Sequence, residues 1–193
     1  MPNSYGLIVE GEKDACVFKE FVGRLNGANP QVRVRSCGGI PALKKNFPTF
    51  LRELESILEG RPVDKALVIR DSDGKDPQQQ EADLRQILGN RMFAFPDGVH
   101  FFVVRQQMDA LLLADEAAIT SVAIERGGRG VPRINEAIED LVRPKERLLR
   151  ELSRARLPYT PQVCREIAAS ADLETICYRC PSFASFAETV TDC

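Results

Sequence analysis

Acidic residues follow two apolar segments that lie far apart in the chain. Residues 5–9 are apolar and lead to Glu10, and the mainly apolar residues 65–70 lead to Asp71 and Asp73. If both segments are parallel strands, their carboxyl ends meet at one edge of a sheet. Magnesium and manganese prefer carboxylate oxygens, and crowded ionised carboxylates are unstable until a cation joins them. The pattern therefore predicts a divalent-cation site and phosphodiester chemistry.

A further acid lies one helical turn after Glu10. At helical spacing, Asp14 shares a face with Phe18 and Phe21, the apolar face that should meet the sheet. A carboxylate on that face needs a partner, and we expect Asp14 to approach the same cation as Glu10. The alternative is an acid that is merely favoured by the dipole at the helix start.

Lys145 is the corresponding basic candidate. It follows Pro144, which can begin a helix, and we expect it on the stripe of Leu148, Leu149 and Leu152. A lysine that points inward near a helix start can stabilise charge on a phosphate in the transition state. The alternatives are a lysine that extends to solvent along the helix and an internal ion pair.

The same helix carries a group of arginines. Arg147, Arg150 and Arg154 fall on the other face and are candidate nucleic-acid-binding residues. The alternative is a solvated face with partial ion pairing. The formal net charge of the chain is -2, so the protein as a whole does not attract nucleic acid.

Strand and helix patterns alternate through the first hundred residues. We predict strands at 5–9, 32–36, 65–70 and 99–104, and helices at 12–25, 42–58 and 77–88. This order is typical of an α/β fold with a mainly parallel sheet flanked by helices. From about residue 115 the pattern is helical. We expect an α/β domain over residues 1–115 and a helical C-terminal extension, residues 116–193, packed on it.

Composition narrows the class of protein. With 193 residues and 44% apolar content, the chain can bury one sizeable core but is too short for two independent enzymes. No apolar run is long enough to cross a bilayer and no export signal is visible, so we expect a soluble cytoplasmic protein. The six cysteines are interpreted as reduced thiols. A zinc site is the alternative, formed by Cys177 and Cys180 with Cys164 and Cys193.

Three segments resemble a known family. Residues 7–14, the Gly38-Gly39 turn and residues 67–73 resemble the Toprim domain of topoisomerases, bacterial primases and OLD-family nucleases, over about the first 110 residues. The resemblance implies a Toprim-like, Rossmann-like fold in which Glu10, Asp71 and Asp73 bind Mg²⁺ or Mn²⁺. By comparison with OLD nucleases, it also implies Asp14 as a metal ligand and Lys145 as a residue that assists cleavage.

Later segments resemble a more specific group. Residues 108–115, 143–145 and 180–183 look like a family of small standalone Toprim-like proteins of uncharacterised function. Their genes often lie near those for ABC-type ATPases, which implies an OLD-like ATPase partner and a role in phage defence. The family commonly carries a glutamate before its Leu-Ala-Asp stretch. Here the segment reads Gln106 to Asp109, so Asp109 and Asp115 are the candidate substitutes.

The leading hypothesis is a metal-dependent nuclease that acts on DNA, with Glu10 and Lys145 as catalytic residues. One alternative is a non-catalytic Toprim-like module that binds nucleic acid or a partner ATPase. Another is a phosphate acceptor of the receiver kind, because clustered aspartates on such a sheet also suit magnesium-assisted phosphotransfer. A homodimer is one assembly that the sequence allows.

Overall fold

The centre of the molecule is a four-stranded parallel sheet. A computed structural model describes residues 1–192. The strands lie in the order β2-β1-β3-β4, and each neighbouring pair is parallel. Their bounds are Ser4–Val9 (β1), Gln31–Ser36 (β2), Lys65–Asp71 (β3) and Val99–Val104 (β4). The predicted α/β fold with a parallel sheet flanked by helices is confirmed.

Helices follow the strands and fill the second half of the described chain. Those of the first half are Glu12–Asn26 (α1), Ile40–Leu54 (α2), Pro77–Leu88 (α3) and Met108–Leu113 (α4). The later ones are Glu116–Glu125 (α5), Pro144–Ala155 (α6), Pro161–Ser170 (α7), Leu173–Arg179 (α8) and Pro181–Thr191 (α9). Four of them begin at a proline, whose missing N–H costs nothing in the first turn.

One predicted boundary is wrong. Helix α2 ends at Leu54, whereas the apolar periodicity predicts a helix to residue 58. Glu59 and Gly60 take left-handed backbone, with φ of 53° and 83°, in a turn that a bridge between Leu58 and Arg61 closes. Ile57 and Leu58 still pack against the core, so their apolar character continues the pattern beyond the helix.

Both faces of the sheet are covered by helices. Alternate strand residues such as Leu7 and Leu67 belong to a core shared with α1 and the C-terminal helices. The intervening residues, such as Ile8 and Val68, pack with α2 and α3. The division at residue 115 stays a prediction, although apolar side chains from both sides of it form one core cluster. Among the described residues, no helix combines the length and apolar character needed to cross a bilayer.

Polar contacts fix the last helix to the amino end of the sheet. The buried Lys65 ammonium donates to the carbonyl oxygens of Thr189 and Asp192. The Tyr5 hydroxyl donates to the carbonyl of Val190 at 2.7 Å. Because these donors lie on β1 and β3, the two central strands hold the C-terminal helix in place.

A substitution of Gly6 in β1 tests the packing of α2 against the sheet. A Cβ added there would lie 2.5 Å from Cδ1 of the fully buried Leu54. We expect Gly6→Ala to lower the free energy of unfolding by about 1–3 kcal/mol through overpacking. Gly23→Ala is the matched control, since a Cβ at Gly23 meets nothing within 4 Å. That helical substitution should raise stability by about 0.4–1 kcal/mol. Denaturant unfolding measures both, and equal stability of the two variants would contradict the packing described.

Candidate metal centre

An acidic cavity lies beyond the carboxyl ends of β1 and β3. Its volume is about 390 Å³. The structure brings five of the candidate site residues to its walls: Glu10, Asp14, Asp71, Asp73 and Lys145. Gly38 and Gly39 form another part of the wall, with φ of 81° and 115° that residues with a Cβ rarely adopt. Their amides donate to the Glu10 carbonyl, which places this turn beside the acids.

Glu10 and Asp71 are held by backbone donors. The Asp71 amide donates to Glu10 Oε1 at 2.8 Å, which joins the end of β1 to the end of β3. The amide of Met108, at the start of α4, donates to Asp71 Oδ1 at 2.9 Å. Each carboxylate is therefore fixed through one oxygen by the chain's own backbone.

Asp14 is held in the same way at the start of α1. It is the third residue of the helix, and the Gly11 amide donates to Asp14 Oδ2 at 3.0 Å. The contact with the helix start that was the alternative interpretation is thus present. It does not exclude the cavity position, because Asp14 also lines the cavity wall.

Asp109 provides a further acid, and Asp115 does not. Asp109 is 4% exposed, lines the cavity and accepts a hydrogen bond of 2.6 Å from the Tyr159 hydroxyl. Asp115 instead accepts from the amides of Ala117 and Ala118 and so caps α5. Of the two substitutes considered for the absent glutamate, Asp109 is therefore the one at the cavity.

Sequence reasoning missed Tyr159 and Lys13. Tyr159 lines the cavity, and the Lys13 ammonium lies 4.5 Å from the centre of its ring. Lys13 precedes Asp14 at the helix start, a position that could have signalled a cavity residue. Tyr159 carries no such signal, because its place depends on how the segment between α6 and α7 returns to the first helix.

Asp73 reaches the cavity from a turn that follows β3. Strand β3 ends at Asp71, and Asp73 lies in this turn with a φ of 49°. The two aspartates therefore do not lie on one continuous strand. Asp73 is exposed, lines the cavity and accepts from Gln107 Nε2 at 2.9 Å.

Lys145 lies on the cavity wall at the start of α6. It is exposed, and no carboxylate in residues 1–192 forms an ion pair with it. Leu148 and Leu152 are buried as expected, but Leu149 is 40% exposed. The apolar stripe is thus narrower than predicted, and Lys145 lies beside it.

The arginines of α6 surround a buried acid. Glu151 is 0% exposed and pairs with Arg147 at 2.8 Å and Arg154 at 3.0 Å. Arg147 is only partly exposed and also pairs with Glu136. Arg150 is exposed, with its Nε 3.8 Å from Glu151. Nucleic-acid binding by these arginines stays a prediction, although part of their charge is already neutralised within the chain.

The donor set fits a hard cation. Four of the carboxylates each keep a second oxygen with no hydrogen-bond donor from another described residue, and none of these oxygens is a buried unsatisfied atom. These four are Glu10, Asp14, Asp71 and Asp109. Within residues 1–192, no three acidic, histidine or cysteine side chains already converge at ligand distance. Binding would therefore require the free oxygens to rotate toward one ion.

Comparison with known proteins places this chain in a family. A family model described as a domain of unknown function (DUF4276) matches residues 10–191. The chain belongs to this family. No curated protein matches the chain. Among solved structures, the C-terminal region of the Burkholderia pseudomallei OLD protein aligns with a TM-score of 0.51 and 17% identity, over 98% of this chain and 97% of that chain. At that identity the likeness concerns the fold, which is OLD-related.

The described cysteines of this DUF4276 member do not line the acidic cavity. The five described ones are free, and Cys164 and Cys180 are buried. Cys193, the fourth residue of the zinc interpretation, falls outside the described residues. Burial raises the pKa of Cys164 and Cys180 to about 12, which disfavours the thiolates that zinc requires.

Burial and mutual repulsion raise the pKa of the cavity acids. The pKa of Glu10 rises to about 7 and that of Asp14 to about 6, chiefly because burial disfavours the charged form. Burial also raises the pKa of Asp71 well above its ordinary value, and the charges of Asp14 and Glu10 add to the rise. A divalent cation would relieve this cost, because it neutralises the repulsion directly.

These shifts give a pH dependence with a defined sign. The folded pKa values exceed the unfolded ones, so the acids stabilise the metal-free protein below about pH 4 and that stability is lost as pH rises through 6–7. Asp71→Asn should therefore gain thermal stability over the parent between pH 5 and pH 8, reaching about 3–8 °C at pH 8.

Differential scanning fluorimetry in chelator measures that difference. Glu59→Gln is the control, since Glu59 is exposed, lies at the amino end of the sheet and should show a constant difference from the parent. Added Mn²⁺ should stabilise the parent more at pH 8 than at pH 5. A parent that gains stability relative to Asp71→Asn as pH rises would contradict the repulsion described.

Proposed function

We propose that this DUF4276 member is a metal-dependent nuclease that cleaves DNA phosphodiesters. One observation carries the proposal. Acids from the ends of β1 and β3 and from α1 and α4 line one cavity, and each accepts a hydrogen bond through one oxygen. A purely structural role does not explain why carboxylates that repel one another are gathered at one cavity.

The residues suited to hold Mg²⁺ or Mn²⁺ are Glu10 and Asp71 at the strand ends, with Asp14, Asp109 and Asp73 around them. When bound, such a cation polarises a phosphodiester and lowers the pKa of bound water. The chain's own part is to hold these carboxylates at the cavity before the substrate arrives. Backbone amides hold one oxygen of Glu10, Asp14 and Asp71, and the second oxygens turn toward the cation when it binds.

Lys145 supplies positive charge at the wall of the same cavity. Its ammonium has no ion pair in the described part of the chain, so it is available to a phosphate oxygen that gains charge in the transition state. Glu10, the acid nearest the junction of β1 and β3, is the proposed catalytic carboxylate. Tyr159 orients Asp109 through its hydroxyl.

The partner proposal rests on the structural likeness. This chain aligns over 98% of its length with the C-terminal region of an OLD protein. We therefore propose an OLD-like, ABC-type ATPase as a partner, and a role of the pair in phage defence. A homodimer and a cytoplasmic location are part of the same proposal.

A second candidate function is a non-catalytic module that binds nucleic acid or the ATPase. It is favoured by the absence of any three side chains already converged at ligand distance among residues 1–192. The phosphate-acceptor alternative is less well supported. A receiver uses a central aspartate that faces a lysine on the neighbouring strand, whereas these acids come from several elements and Lys145 comes from a helix.

The deciding experiment is cleavage of supercoiled plasmid and of single-stranded DNA with Mg²⁺ or Mn²⁺. The parent should nick DNA, and the Asp71→Ala, Asp73→Ala double variant should lose at least about a thousandfold in rate because it removes metal-binding oxygens. Lys145→Ala should lose about 10²–10³ in rate with metal binding retained, because it removes one charge-stabilising group.

Arg61→Ala is the matched control for Lys145→Ala, because Arg61 is exposed and lies at the opposite end of the sheet. It should cleave like the parent. Metal binding without cleavage, alone and with an added OLD-like ATPase, would favour the binding-module function. Cleavage that survives in the double aspartate variant would contradict the assigned centre.

A further inference from the structure

A second, larger groove lies beside the acidic cavity. It has a volume of about 840 Å³ and is bounded by α1, strand β2 and α7. Strand β2 is an edge strand, since it pairs with β1 alone in the described sheet. One wall of the groove therefore offers backbone groups that no neighbouring strand covers.

The groove is basic although the whole chain is slightly acidic. Lys19, Arg33 and Arg165 line it, are exposed and form no ion pair with any residue from 1 to 192. Two other lining cations are engaged, since Arg24 donates to the Ala168 carbonyl and Arg35 pairs with Glu53. Among the described lining residues, Glu20 is the one acid. The groove thus carries uncompensated positive charge.

Small residues form part of the groove wall. On α1 they are Ala15, Cys16 and Gly23, and Gly27 follows at the end of the helix. A Cβ added at Gly23 would meet nothing within 4 Å. Lys19, Glu20 and Arg24 of α1 also line the groove, so charged side chains stand among these small positions.

The groove and the candidate metal centre are adjacent along α1 and beyond the end of β2. On α1, Asp14 lines the acidic cavity and the next residue, Ala15, lines the groove. On the strand side, Arg35 lines the groove and the Gly38-Gly39 turn lines the cavity. A chain bound along β2 would therefore reach the acids at the point where the strand ends.

We propose that this groove binds the sugar-phosphate backbone of DNA and delivers a phosphodiester to the acidic cavity. The inference rests on the proposed function, because the acidic cavity is the proposed site where the bound strand is cleaved. Phosphates supply the repeated negative charge that matches Lys19, Arg33 and Arg165. A second copy of this chain paired through β2 is disfavoured, since it would bring two basic edges together.

The test is DNA binding in chelator, where cleavage does not interfere. Fluorescence anisotropy with a short labelled duplex and a single strand compares Lys19→Glu, Arg165→Glu with the control Arg61→Glu, Arg129→Glu. The control residues are exposed, line neither cavity and give the same change in net charge. We expect at least about a tenfold loss of affinity for the groove variant, and a slope of log K against log salt reduced by about two.

Equal losses in the groove and control variants would overturn the proposal, as would a groove variant that binds like the parent or a parent that does not bind at low salt. Circular dichroism checks that each variant is folded. If the charge-reversal variant Lys19→Glu, Arg165→Glu unfolds, the neutral variant Lys19→Gln, Arg165→Gln replaces it. Arg33→Glu tests the strand side independently. A groove variant that changes the oligomeric state in size-exclusion chromatography would make the groove a subunit interface and overturn the proposal.

A cleavage assay distinguishes failure of the groove proposal from failure of the proposed nuclease function. Metal-dependent cleavage that is insensitive to the groove substitutions would leave the nuclease function standing and reject the groove. Groove-dependent binding by a protein that never cleaves DNA would reject the nuclease function and support the groove as a binding surface.

Discussion

Repulsion between carboxylates in a poorly solvated cavity is the interaction on which the rest of this structure depends. Glu10, Asp14 and Asp71 would move apart if their side chains alone decided their positions. They are held together by amides of Gly11, Asp71 and Met108, which belong to different elements. Because each amide is fixed by a helix start or a strand end, the fold itself opposes the repulsion.

The remainder of the fold keeps those elements in register. Strand β3 carries Arg70, which is 3% exposed and donates from Nε to the Asp71 carbonyl at 3.0 Å. Its charge lowers the pKa of Glu10 and so counters part of the effect of burial. At the other end of the sheet, Lys65 and Tyr5 attach α9. The carboxylate repulsion at the carboxyl ends of the strands is therefore tolerated, because the sheet is well packed elsewhere.

Much of this arrangement follows from the sequence. Buried runs that end in Glu10 and Asp71 indicate the edge of a parallel sheet, and strand-helix alternation indicates its fold. The sequence assigns Asp73 to the cavity but does not predict its backbone conformation. Strand β3 ends before Asp73, and this residue adopts a left-handed conformation in the turn that follows. The position of Tyr159 was inaccessible for another reason. It depends on how the helices beyond residue 140 pack, which helical periodicity does not determine.

The most direct test of the central claim is an anomalous-difference map from crystals grown with Mn²⁺ at pH 8. The account predicts a manganese peak within ligand distance of the free oxygens of Glu10 and Asp71, with Asp14 or Asp109 turned toward it. An empty cavity at saturating Mn²⁺, with the carboxylates in their present positions, would contradict the claim that these acids form a cation site.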